Sequence, residues 1–304
     1  MNLKNLSFVS KRPEKIKNVL ESLYHKYSRP RFIDPDPLQF VYHYSRPLDM
    51  EIAAFLAASL AYGRVPHIKK SLTRLFECMG SSPFEFVKNF DNLKRQKIRN
   101  FKHRFTTGDC LSDLMELLRN VLAHYGSIEK FFIQGYNPDD ENIIPALDRF
   151  CDSLLTMYAK THNGRITNSL RFLLPKPSAG SACKRLNLFL RWMVRNDDVD
   201  TGLWKSVDKA KLIVPLDVHI GRLCRILKLY DQKSPSLTAA VKITKSFAQI
   251  QPADPVKYDF ALSRIGIRDN CTTKYRSACR PCELYSFCFQ SRFNIIARKT
   301  YVRR

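Results

Sequence analysis

Four cysteines crowd the C-terminal end of this chain. Cys271, Cys279, Cys282 and Cys288 have seven, two and five residues between successive thiols. So short a stretch can close on one small inorganic centre with no ligand from elsewhere, which makes the local chain a loop wrapped round that centre. Clustered cysteine ligands hold two kinds of centre, a four-thiolate zinc and an iron–sulfur cube. Two local disulfides are the competing use of these thiols. Disulfides persist mainly in exported chains, and the first twenty residues hold no continuous apolar run of signal-peptide type. The metal centre is therefore the preferred reading. Cys78, Cys110, Cys151, Cys183 and Cys224 are scattered through apolar stretches and read as reduced core residues.

Charge narrows the partner. Lys and Arg total 51 against 28 Asp and Glu, a formal charge of +23 over 304 residues. Self-repulsion of that size is costly unless a polyanion neutralises it. Nucleic acid fits, because each neutralised phosphate releases a counterion. A merely solubilising basic surface is the bland alternative. The longest apolar-rich stretch, Ile52 to Tyr62, is about half of what a membrane span needs. The expected partner is duplex DNA, with RNA as the alternative polymer, and no membrane. A monomer in the cytoplasm is expected, associated with the nucleoid if the source is bacterial.

The periodicity predicts an all-α chain. Ile16, Val19, Leu20 and Leu23 give Pro13 to Tyr27 one apolar helical face. The proline-rich stretch around Arg29 to Pro37 then behaves as a linker. A helix from about Met50 to Tyr62, capped by Asp49 and ended by Gly63, is apolar nearly all round and so predicted to be buried. Pro66 opens the next helix. Leu111–Tyr125 and Ile143–Tyr158 keep the same rhythm, and no strand-like alternation of useful length appears. Three regions are expected: 1–47 as an N-terminal helix and linker packing on the C-terminal lobe, 48–216 as a helical core lobe, and 217–304 as C-terminal helices with the cysteine loop.

Leu173 to Ser181, with its prolines and Gly180, forms a tight connector before a helix from about Ser181 to Arg195. Leu186, Phe189, Leu190, Met193 and Val194 take one face of that helix. Lys184, Asn187, Arg191 and Arg195 fall toward the other, where they are expected to meet phosphates; a solvated charged face is the competing account. An acidic turn, Asp197 to Gly202, follows. Asp217 stands at the start of a helix to about Leu229 and is predicted to cap it. Asp254-Pro255 carries the same signature for the helix leading into Cys271.

Taken in order, these parts resemble the helix-hairpin-helix DNA glycosylases of the endonuclease III type, over roughly Met50 to Cys288. Ile52 to Gly63 is similar to that family's early core helix. Leu174-Pro175 through Lys184 stands where the family has its hairpin and catalytic lysine. Pro215-Leu-Asp217-Val-His219 is similar to its Val-Asp-Thr-His segment, which carries the essential aspartate. The cysteine loop resembles its iron–sulfur loop, with one residue more in the first gap. The hairpin departs from Leu-Pro-Gly-Val-Gly, since Lys176-Pro177-Ser178-Ala179 leaves only Gly180. Lys184 and Asp217 are 33 positions apart, a long spacing similar to that of the archaeal-type 8-oxoguanine glycosylases. The overall pattern is similar to a bacterial branch of the superfamily.

The resemblance implies a base-excision glycosylase, with lyase activity through a Lys184 Schiff base and with Asp217 stabilising the sugar's positive charge. Lys176 is the rival nucleophile. Opposing neighbours, Arg185 and Asp217, would act on the Lys184 amine. A damaged base, an oxidised purine first, would leave the stack to be reached. The implied cofactor is a [4Fe-4S] cluster on Cys271, Cys279, Cys282 and Cys288, with zinc as the alternative. DNA contacts are expected from Tyr62, Arg64, Gly180, Ser181, Arg185, Arg191, Lys274, Arg276 and Arg280. Leu60, Ala61, Tyr62 and Arg64 are the wedge or backbone-contact candidates, Tyr62 and Trp192 the stacking ones, and His219 is read as packed or hydrogen-bonded. The competing class is a non-catalytic iron–sulfur nucleic-acid binder of the same fold.

Overall fold

The computed structural model of the protein describes residues 6–231, 235–267, 271 and 276–288. It is predominantly helical, as the periodicity predicts. In chain order the helices are α1 (Leu6–Tyr27), α2 (Pro47–Ser59), α3 (Val65–Met79), α4 (Pro83–Lys88), α5 (Asn92–Ile98), α6 (Gly108–Tyr125), α7 (Ile128–Phe132), α8 (Ile144–Thr161), α9 (Asn168–Leu173), α10 (Lys184–Val194), α11 (Val218–Ile226), α12 (Leu237–Ala248) and α13 (Asp259–Ile267). Two short strands, β1 (Lys102–His103) and β2 (Thr106–Thr107), pair antiparallel. No described helix is long and apolar enough to cross a membrane. The chain divides into two compact units, one of residues 33–215 and one joining 1–32 to 216–304.

In the unit of residues 33–215, α2 is the buried axis. Every residue from Glu51 to Ser59 is buried, and the helix packs against the 3-10 turn Pro37–His43, α4 and α10. Phe55 meets the Phe189 ring of α10 edge-on at 5.1 Å. The prediction that Asp49 caps this helix is corrected. Pro47 opens it earlier, which puts Asp49 inside the first turn. The carboxylate instead accepts from Phe84 N–H at 2.9 Å and Ser82 Oγ at 2.6 Å, so it serves the start of α4. Glu51 does the same for α7, accepting the Ile128 and Glu129 N–H groups and Trp204 Nε1, each at 2.8 Å. Two acids on a buried helix thus satisfy amides that two other helix starts would leave orphaned. The C-terminal end also comes sooner than Gly63, at Ser59 with Leu60 as the cap.

The other unit is built on α13. It packs against α1 and α11, and the Arg264 guanidinium lies buried over the Phe260 ring at 4.2 Å while donating to the Phe32 carbonyl at 3.1 Å. Glu21 of α1 takes both Lys257 Nζ and the Tyr258 hydroxyl, at 2.8 and 2.6 Å. The helix predicted to start at Asp254-Pro255 begins at Asp259, because residues 255–258 are spent in turns.

Candidate functional site

Lys184 is the first residue of α10. The turn before it is shaped by Gly180, at φ +80, and by Cys183, a non-glycine residue at φ +47. Cys183 is buried, and its thiol donates to the Pro175 carbonyl at 3.1 Å, which closes the turn on itself. Ser181 Oγ accepts the Cys183 N–H at 3.1 Å. In the segment of residues 176–179, the Ser178 N–H donates to Asp148 at 2.8 Å, so that amide is already spent on a carboxylate. Lys176 pairs with Asp152, and this hydrogen bond holds its pKa above the ordinary lysine value. An amine held as ammonium is a poor nucleophile, which counts against Lys176 in that role.

Beside it stands a cluster of rings and guanidinium. Arg185 reaches across to donate to the Ser59 carbonyl at 2.8 Å and to the Phe172 carbonyl. Its guanidinium lies 4.4 Å from the Phe172 ring centre and 5.3 Å from that of Tyr62. Burial lowers its pKa to about 10, which leaves it a cation at neutral pH. Tyr62 donates to the His103 carbonyl at 2.8 Å, and the His103 ring returns a contact to the Tyr62 carbonyl at 3.0 Å. Burial pushes the His103 pKa down from 6.5, so the ring is neutral, with Nε2–H donating to that carbonyl.

The β1–β2 turn completes the cluster. Its two-residue tip is Arg104-Phe105, with Arg104 at φ +51. Glycine or asparagine is the usual choice for such a position. Gly63, itself at φ +97, lies so close to this tip that a Cβ would stand 2.8 Å from Arg104 Cδ. The Arg104 guanidinium lies 5.2 Å from the Phe105 ring centre. Phe105 is 70% exposed, and the neighbouring Phe172 is 39% exposed. Exposed rings framed by cations suit a planar ligand with anionic groups, through stacking and charge together. No helical or strand rhythm marks Phe105. Its only signal is an aromatic inside a basic run, Lys102-His-Arg-Phe105.

Several predicted contacts lie elsewhere. Arg191 and Arg195 do not face outward, because the acidic turn folds back under α10. Asp200 lies 3.2 Å from Arg191 Nε and 2.5 Å from Arg195 Nη1, and Asp197 lies 3.0 Å from Arg195. Arg191 is 2% exposed, and Asn187 is equally buried. The expected phosphate contact of Arg191 is therefore corrected: its charge is satisfied inside the protein. Trp192 is fully buried in the core and offers no stacking face, and Leu60 and Ala61 are buried too, so neither can act as a wedge. Tyr62 and Arg185 are brought together, while Arg64 is exposed at the start of α3.

In the other unit, Asp217 caps α11 as predicted. One carboxylate oxygen accepts the His219 and Ile220 N–H groups at 2.9 and 2.8 Å. His219 is packed, as read: its ring fills the space beside Gly266, where a Cβ would approach within 2.7 Å. Arg276 and Arg280 are exposed, and Lys274 lies outside the described residues.

The four cysteines are each partly exposed, and none of them is joined in a disulfide to another described residue. The Cys279 sulfur accepts the Arg276 N–H at 3.3 Å. Burial, and then the charges of Glu283, Cys271 and Cys279, raise the Cys282 pKa. Four thiols in so short a stretch are the donor type that zinc and iron–sulfur centres use. The geometry is looser than that: among the described residues no three His, Cys, Asp or Glu side chains stand close enough to hold one metal ion.

Residues 36–268 match the family model described as a protein of unknown function, DUF2400. The chain belongs to this family. The DUF2400 match takes in Lys184, Asp217 and the whole ring cluster, and stops just before Cys271. No curated protein and no solved structure matches the DUF2400 chain.

Proposed function

We propose that this protein is a DNA base-excision glycosylase with lyase activity, acting on a damaged base turned out of duplex DNA. The observation that carries the reading is the exposed Phe105–Phe172 surface framed by Arg104 and Arg185, next in sequence to Lys184. Rings of this kind accept an unstacked base, and guanidinium groups accept the phosphates around it. The helix-hairpin-helix likeness is the second support, and it suggests an oxidised purine as the first substrate to try.

The chemistry assigned to the chain is short. The Lys184 amine bonds to C1′ of the sugar as the C1′–N glycosidic bond breaks; the base leaves with the electron pair and takes up a proton. Loss of the amine proton and ring opening give a Schiff base, and removal of a C2′ proton expels the 3′ phosphate. Asp217 belongs to the other unit. In this proposal its carboxylate offsets the charge that builds on the sugar. The four cysteines would hold a [4Fe-4S] cluster, with zinc as the alternative, and such a centre would stiffen the loop that bears Arg276 and Arg280.

One observation favours a second reading, a nucleic-acid binder of the same fold without catalysis: the Ser178 amide of the hairpin is bonded to Asp148. Base-release and strand-cleavage assays on lesion-bearing duplexes separate the two. The enzyme reading expects Lys184→Ala to lose strand cleavage and keep DNA binding, and Asp217→Asn to slow base release. Tight binding with no base release from any lesion would favour the binder.

A further inference from the structure

The turn that ends α11 carries a lysine where the backbone favours glycine. Lys228 sits at φ +56. Its N–H donates to the Arg225 carbonyl at 3.0 Å, and the Leu229 N–H donates to the Cys224 carbonyl at 2.9 Å. That pair of bonds is a Schellman closure, whose left-handed residue is commonly glycine. A side chain at that position costs on the order of 1 kcal/mol. Lysine holds this position in spite of that backbone cost.

It meets a basin. A cavity of about 710 Å³ opens between the end of α11 and α12, lined by Arg225, Lys228, Tyr230, Lys242, Lys245 and Ser246. Four cations share it with one carboxylate, Asp231. Ser246 Oγ stands 3.0 Å from the Leu229 carbonyl and 3.1 Å from the Lys242 carbonyl, so it pins the turn to α12 and fixes the basin's floor. Lys228 and Lys242 make no ion pair among the described residues. Like charges gathered in a concavity repel one another and raise the local concentration of anions.

We infer that this basin is a nucleic-acid phosphate site, which takes the phosphodiester groups of a DNA strand apart from the ring cluster around Phe105. The inference rests on the nucleic-acid part of the proposed function and needs none of its chemistry. Lys228 supplies a point charge at the rim of the turn, and Lys242 and Lys245 supply two more, three positions apart on α12.

Lys228→Gly tests this with little risk to the fold, because glycine relieves the left-handed backbone while removing the charge. An undamaged duplex oligonucleotide is titrated by fluorescence anisotropy over a salt series with wild type, Lys228→Gly and Lys242→Gln. The expected result is severalfold weaker binding at low salt for each variant. Each lost phosphate contact should also flatten the slope of log K against log salt by about one. Lys228→Gly should melt at or above the wild-type temperature, which separates a lost contact from a damaged fold. Both variants keeping wild-type affinity and slope would overturn the basin and leave the nucleic-acid reading standing. Wild type showing no salt-dependent binding would overturn both.

Discussion

Asp200→Asn is the sharpest test of the packing described for α10. Asp200 is 1% exposed and faces two guanidinium groups, Arg191 at 3.2 Å and Arg195 at 2.5 Å, that are themselves buried. Asparagine keeps the volume and one acceptor but removes the negative charge. That takes away the negative charge facing Arg191 Nε and Arg195 Nη1, while Asp197 still lies 3.0 Å from Arg195. Removing one partner from a buried pair costs about 3–5 kcal/mol, because the remaining charge stays desolvated. The acidic turn adds little compensation, since Asp197 already accepts the Val199 and Asp200 N–H groups at 2.8 Å. At roughly 2–4 °C per kcal/mol for a unit of this size, the melting temperature should fall by on the order of 10 °C. Urea melts followed by circular dichroism give the free energy directly. A cost below about 1 kcal/mol would refute the argument, and would mean that Arg191 and Arg195 reach water after all.

Two further outcomes follow from the ring cluster and the cysteines. Phe105→Ala should leave stability within about 0.5 kcal/mol, since the ring is largely exposed. It should weaken binding to DNA with an unpaired base by about 1–3 kcal/mol. An unchanged dissociation constant would remove Phe105 from the interface. Cys282→Ser should abolish bound iron, and with it the visible absorbance of the purified protein. Iron content equal to wild type would exclude Cys282 as a ligand.

Much of the helical layout is written in local patterns. The apolar run at Ile52 to Leu60 announces a buried helix, and the apolar approach to Asp217 followed by Val-His-Ile announces a cap. What stays hidden is where a polar side chain finds its partner. Asp49 precedes an apolar run and looks like its cap, yet its amide partner is at Phe84, 35 positions on. Arg191 and Arg195 sit on the polar side of a helical wheel, and the acidic turn that begins two residues after Arg195 is conspicuous. Nothing local says that the turn folds back to neutralise them. Phe105 is missed for a different reason. Two-residue strands are too short for alternation, and the left-handed position holds arginine in place of the glycine that would mark a turn.

The central claim is that Lys184 forms a covalent bond to the sugar of a damaged nucleotide. The purified full chain is incubated with duplexes bearing 8-oxoguanine, uracil or an abasic site, and borohydride is added to reduce any Schiff base. The account predicts a trapped protein–DNA band with at least one substrate, absent in Lys184→Ala while that variant still binds DNA. A band of equal strength in Lys184→Ala, or none with any substrate from a protein that binds all three, would contradict it.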